Sequence, residues 1–260
     1  MIRPAMGDSR LTLEALEDGR LVHVKLASPP GNVLDLALTE ALREAMRSIV
    51  RSAPHAVLLS GAGANFSFGA SVHDHLPERI GPYLTAFHAL VREILDRAPP
   101  IVTAVRGFCL GGGLELALLS HRIIAAPDAK LGVPEIQLGV FAPVASLLLP
   151  LRIGPSAAEE LLLTGRHVGA AEALEKKLVD QIADEPVSAA VHWVKQRLLP
   201  LSRSSLRFAA QVARTHVAQV VRTHLDGVES LYLRELMRTR DAVEGIRAFL
   251  EKRPPKFGHA

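Results

Sequence analysis

The sequence predicts an α/β protein with a layered core over residues 1–195 and a helical C-terminal region over 196–260. Short β-type runs alternate with helical ones through the first half, the pattern of a sheet covered by helices. After Glu135 the segments turn helical, punctuated by Pro150, Gly154, Pro155 and Gly165. From about Ser204 to Glu251 the helical pattern is unbroken.

In chain order, "RLVHVKLA" reads as a strand, and "LALTEALREAMRSIV" as an amphipathic helix with leucine, alanine and methionine at helical spacing. "HAVLLSGAG" is an apolar strand ending at glycines. "IGPYLTAFHALVREILDRA" is a helix stopped by Pro99 and Pro100. "IVTAVRG" and "RIIAAP" are further strands, the latter closed by Pro127. Between them lies "LGGGLELALLS", a glycine run opening a helix that is apolar almost all round. "ASLLLPLRI", "SAAEELLLTG" and "GAAEALEKKL" complete the core as helical pieces.

Composition narrows the function classes. Of 260 residues, 48% are hydrophobic and 22% charged, which fits a globular protein rather than a disordered one. No apolar run reaches the roughly 18 residues of a membrane helix, and the start has no signal-peptide pattern, so a cytoplasmic protein is expected. A net charge of +3 is too small for a nucleic-acid footprint, and no nucleic-acid or membrane partner is expected. The single cysteine, Cys109, excludes an internal disulfide framework and a cysteine-built metal cluster. Set between Phe108 and Leu110, it reads as a buried inert thiol.

Two weak motifs are set aside. "LLSGAGANF" opens like a dinucleotide fingerprint, but Phe66 stands where the third glycine belongs and no helix follows directly. The "HDH" of His73–Asp74–His75 has poor metal spacing and reads as a polar loop, so no metal is expected. Two other features carry more. "FSFGAS", 66–71, is a glycine-containing turn after an apolar strand. Glu115 follows the glycine run inside an otherwise apolar helix, where a charge is costly unless it is used. Glycine allows close backbone approach, and a helix start presents free N–H groups that would stabilise an oxyanion on a bound carbonyl. Glu115 lies one turn beyond Gly112, so an amide and a carboxylate can face one space.

At these residues the chain resembles the crotonase, or enoyl-CoA hydratase/isomerase, superfamily. The likeness runs from about Leu21 to Phe257 through "FSFGAS", "VRGFCLGGGLELAL", "AAPDAKLGVPEIQLG" and the tail "AFLEKRPPKF". It implies a core of repeated ββα units with C-terminal trimerising helices, and homotrimers that commonly pair as hexamers. It also implies an acyl-CoA thioester substrate, with no cofactor apart from the CoA that the substrate carries. The family's oxyanion-hole amides fall on Ala70 and Gly112, and its two catalytic glutamates on Glu115 and Glu135. Retaining both acids points to a hydratase, in which two carboxyl groups hold a water and shuttle protons. Burial raises and a helix start lowers a carboxyl pKa, so the pair can differ in protonation; which is acid and which is base stays open. Phe68, Gly69, Ala70, Ser71, Val72, Phe108, Gly111 and Phe141 are the substrate-binding candidates. Phe68, Val72, Phe108 and Phe141 are read as pocket walls, with ordinary core packing as the alternative. Lys252 and Phe257 in the tail are candidates for contacts to CoA.

The sequence also departs from the family pattern. Ser71 replaces the aspartate after G-A, and Ser120-His121 replaces the usual Cys/Ala-Asp. "FAPVASLLLP" stands where fatty enoyl-CoA hydratases have P-G-x-G-G-T-Q. Pro143 thereby falls on a glycine whose N–H helps hold the water, and proline has none to offer. "FSFGASVHDHLP", "LGVFAPVASLLLP", "SSLRFAAQVAR" and "SLYLRELMRTRDAVEGIRAFLEKR" resemble the cyclic-diene branch of the superfamily. That likeness implies hydration of cyclohexa-1,5-diene-1-carbonyl-CoA to 6-hydroxycyclohex-1-ene-1-carbonyl-CoA, in anaerobic benzoyl-CoA degradation. A conventional short-chain enoyl-CoA hydratase is the alternative. A non-catalytic or RNA-associated member of the fold is disfavoured by the two glutamates and the modest charge.

Overall fold

The computed structural model describes residues 10–28 and 30–259. The first nine residues, on which the expected lack of a signal peptide partly rests, lie outside the described residues. β1 (Leu11–Leu16) and β2 (Leu21–Leu26) form an antiparallel hairpin, and α1 (Leu36–Ser52) crosses to β3 (Ala56–Gly61). A 3-10 turn over Val72–His75 and α2 (Ile80–Arg97) lead to β4 (Ile101–Val105). Then come β5 (Phe108–Leu110), α3 (Gly112–Leu118), β6 (Arg122–Ala125), β7 (Lys130–Gly132) and a 3-10 turn over Pro134–Leu138. The chain continues through α4 (Pro143–Ile153), α5 (Pro155–Thr164), β8 (His167–Gly169), α6 (Ala170–Glu175), β9 (Gln181–Ile182) and α7 (Pro186–Arg197). α8 (Arg203–Ala213), α9 (Thr215–Arg234) and α10 (Arg240–Leu250) close it.

Six strands make the main sheet in the order β1-β2-β3-β4-β6-β9, parallel from β2 onward, and β5-β7-β8 form a smaller one. The first five residues of β3 and all of β4 are buried, which explains their unbroken apolar runs: strands of a parallel sheet covered on both faces have no polar side. One apolar cluster packs α1, α2, α3 and α9 against the sheet, and a smaller one packs α7 against the other face. α1 is stapled at its start by Asp35, whose Oδ1 accepts the Leu38 N–H at 2.7 Å.

The expected α/β core with a helical C-terminal region is what the chain folds into, with three adjustments. The 195/196 boundary falls in the last turn of α7, which packs on β3, β4 and β6. The helical region therefore begins at α8. It does not stand apart: α9 packs along α2 and α4, and α10 lies on the 3-10 turns over Val72–His75 and Pro134–Leu138, roofing the site described next. Pro150 does not punctuate the chain, because α4 runs through it to Gly154. Strands β5, β7, β8 and β9 have only two or three residues each, too few to show a period of two.

Among the described residues no cluster of three His, Cys, Asp or Glu could hold a metal. Asp74 accepts the Leu36 N–H at 3.1 Å, and His75 Nδ1 lies 2.9 Å from the Ser71 carbonyl oxygen. Cys109 is fully buried, which pushes its thiol pKa up and keeps it inert. No described helix is long and apolar enough to cross a membrane.

Candidate active site

The loop 67–71 is held on two sides. Ser67 exchanges backbone hydrogen bonds with Phe108 and Leu110, at 3.0 Å each. On the other side the Phe68 N–H donates to the Gly31 carbonyl (2.8 Å), Leu34 to Gly69 (2.9 Å) and Ser71 to Leu34 (2.9 Å). Asn32 locks the preceding turn, its amide nitrogen donating to the carbonyls of Ala62, Asn65 and Phe66 at 2.9–3.0 Å. Gly69 has φ +93°, and a Cβ there would lie 2.6 Å from the Leu110 carbonyl oxygen, so only glycine fits. The result is one amide, that of Ala70, facing away from all this bonding. A methyl group on Gly112 would sit 3.3 Å from it. Among the described residues, neither the Ala70 nor the Gly112 N–H donates to another group of the chain. Two unpaired amides side by side can accept a developing oxyanion.

The carboxylates come from opposite sides. All seven residues of α3 are buried, Glu115 included at 5% exposure. Its Oε1 accepts the N–H groups of Val144 (2.8 Å) and Ala145 (2.9 Å), the first free amides of α4. Pro143 occupies N1 of α4, where its missing N–H would have had no helical partner anyway. Glu135, on the 3-10 turn over Pro134–Leu138, is half-buried with Oε2 shut off from solvent and unpartnered.

These environments separate the pair. Burial raises both carboxyl pKa values, and for Glu115 the Ala145 amide, the His88 ring and the Val144 amide oppose the rise. Burying a carboxylate ion costs several kcal/mol, and a hydrogen bond to a charged group returns about 1.5–3 kcal/mol, so two amides offset much of it. Glu135 has no such donors on Oε2. Burial and then the neighbouring Glu115 charge push its pKa to about 8. Two backbone amides thus favour the ionised form of Glu115, whereas burial and the Glu115 charge favour the protonated form of Glu135. Behind Glu115, the fully buried His88 places Nδ1 2.5 Å from Glu229 Oε2, joining α2 to α9.

Beside Glu135 opens a cavity of about 320 Å³. Of the residues expected at the site, Phe68, Ala70, Val72, Phe108, Gly111 and Glu135 line it. Gly112 and Glu115 lie behind that lining. Gly69 and Ser71 shape the loop rather than the wall. Phe141 does not line the cavity, contrary to expectation. Its ring packs edge-on against Tyr232 of α9, centroids 5.2 Å apart, while the preceding Val140 faces the cavity. Lys252 is exposed just beyond α10, and Phe257 lies against Gly139 in the turn after Glu135. Neither reaches the cavity lining. Sequence reasoning missed Leu110, Pro134, Leu138, Ile246 and Phe249, and did not place His75 in the wall. It also missed Tyr83 and Tyr232, whose hydroxyls are buried and unpartnered. The signal for the tyrosines was faint, because aromatic residues at helical spacing look like core.

The enoyl-CoA hydratase/isomerase family model matches residues 17–260. Cyclohexa-1,5-dienecarbonyl-CoA hydratase of Thauera aromatica is 49% identical over 237 residues, 91% of this chain and 92% of that protein. A probable enoyl-CoA hydratase of Bacillus subtilis is 30% identical, covering 88% of this chain and 92% of that protein. Among solved structures, an enoyl-CoA hydratase/isomerase from Mycobacterium paratuberculosis superposes with a TM-score of 0.85 at 25% identity, covering 92% of this chain and 98% of the other.

Proposed function

The chain belongs to the enoyl-CoA hydratase/isomerase family and is a hydratase, and from that premise we propose that it hydrates cyclohexa-1,5-diene-1-carbonyl-CoA to 6-hydroxycyclohex-1-ene-1-carbonyl-CoA. The observation that carries the substrate is the 49% identity to the Thauera aromatica enzyme along 91% of this chain. The cavity agrees. At about 320 Å³ it stands at the small end of ligand sites, and its lining is apolar except at Glu135 and His75, as a compact ring requires.

In this reading the thioester oxygen accepts the Ala70 and Gly112 amides. Ionised Glu115 takes a proton from water as the water oxygen bonds to the ring β-carbon. The π electrons move into a dienolate held by the two amides. Protonated Glu135 then delivers its proton to the far end of the diene, leaving one ring double bond conjugated with the carbonyl. Water is consumed and no electrons are exchanged, so CoA, carried by the substrate, is the only cofactor the reaction needs.

The test is a comparison of substrates. Purified protein hydrates the cyclic diene thioester with a higher kcat/KM than crotonyl-CoA, followed by loss of diene absorbance. The opposite ranking makes it a conventional short-chain enoyl-CoA hydratase. We also propose homotrimers, paired or not as hexamers. Supporting this, Leu201, Phe208, Val212 and Leu231 are exposed on or next to α8 and α9 of the single chain. A monomeric mass in solution would refute it.

A further inference from the structure

The chain contains two tyrosines, and both hydroxyls are buried with no hydrogen-bond partner among the described residues. Tyr83 comes from the first turn of α2 and Tyr232 from the last turns of α9, at 2% and 0% exposure. A methyl group on Gly112 would lie 3.6 Å from the Tyr83 hydroxyl and 3.3 Å from the Ala70 amide, so this phenol opens on the same space as the oxyanion amides. Burial first, and then the charges of Glu115 and Glu135, hold both phenols above their ordinary pKa. Both therefore stay protonated and able to donate.

Packing does not explain the hydroxyls. The Tyr83 ring stacks on Phe87 and the Tyr232 ring meets Phe141 edge-on, contacts that a phenylalanine would make equally well. A buried hydroxyl without a partner is a cost that a purely structural site avoids. The backbone at the same end of the site is short of donors. Pro143 has no N–H, and the next two amides of α4 are taken by Glu115 Oε1.

We propose that Tyr83 and Tyr232 are catalytic residues that hold the attacking water, and afterwards the hydroxyl of the product, where Pro143 offers no N–H and the next two amides are taken. This rests on the hydratase reading above. A phenol can both donate and accept. One donates into a lone pair of the water, and the other accepts the water proton that Glu115 does not take. The remaining lone pair faces the ring β-carbon.

Tyr83→Phe and Tyr232→Phe test this, since each removes only the hydroxyl. Each variant hydrates the cyclic diene thioester with kcat lowered about 10- to 100-fold and KM within about threefold of wild type, at an unchanged or raised Tm. A structural role would not move the second readout. The affinity for 6-hydroxycyclohex-1-ene-1-carbonyl-CoA falls about tenfold in each variant, while cyclohex-1-ene-1-carbonyl-CoA, lacking the hydroxyl, binds as to wild type. Wild-type turnover in either variant, or equal weakening of both ligands, overturns the proposal and leaves the hydratase reading intact. A wild-type protein that hydrates neither the cyclic diene nor crotonyl-CoA overturns both.

Discussion

Glu115→Gln and Glu135→Gln each lower hydration turnover by about 10²–10⁴-fold, the range a positioned general acid or base supplies, with thioester binding largely kept. Glutamine is the informative replacement at Glu115. Its amide oxygen can still accept the Val144 and Ala145 N–H groups. Alanine would orphan two buried donors at about 1–3 kcal/mol each and confuse a folding defect with a chemical one. Near-normal hydration by either glutamine variant would sink the mechanism. The two also differ in pH behaviour. Glu135 must be protonated to act as acid, so the wild-type rate declines as pH rises through about 8, a limb that Glu135→Gln lacks. Stability follows the same group. Its folded pKa of about 8 exceeds the ordinary 4.5, so the folded protein binds the proton more tightly than the unfolded chain. The resulting stabilisation is complete below about pH 4.5 and lost as pH climbs to about 8. Tm measured across that window falls more steeply for wild type than for Glu135→Gln.

What could be read from the sequence depended on how many residues carried each signal. α1 and α2, with 17 and 18 residues, repeat their apolar spacing often enough to be read directly. β5, β7, β8 and β9 do not, and β5 and β7 are the strands that flank the site. β1 carries a short alternation, "LTLEAL", that is legible as a strand. Glu115 announced itself as a charge on an apolar helix. Glu135 did not: one carboxylate in a loop has no such contrast, and its catalytic role came from the family likeness. The misplacement of Phe141 has a local cause. Neighbouring residues in an extended stretch face opposite ways, so Val140 takes the cavity and Phe141 the core. Tyr83 and Tyr232 lie 149 residues apart on helices that only tertiary packing brings together, and nothing local marks their hydroxyls as unpartnered.

Gly111→Ala, far from conservative, has the second large effect expected here, and it acts through Glu135. Gly111 has φ +47° and ψ −125°, a conformation that costs other residues about 1–3 kcal/mol. Its N–H is fixed to the Gly132 carbonyl at 2.9 Å, tying the turn to β7 and limiting any relaxation. A Cβ here would lie 2.3 Å from Glu135 Oε1, so the carboxyl group must leave its place. A displacement of about 1 Å in a reacting group costs about 10²-fold in rate, and turnover of Gly111→Ala falls at least that far. A second variant separates this route from general damage to the neighbouring Gly112 amide. In a Glu135→Ala background the clashing carboxyl group is gone, and adding Gly111→Ala lowers turnover only slightly further. Losses that multiply instead would show that Gly111 serves the oxyanion amides independently of Glu135. The glycine run would then be needed for the turn itself, and not for the room it leaves the acid.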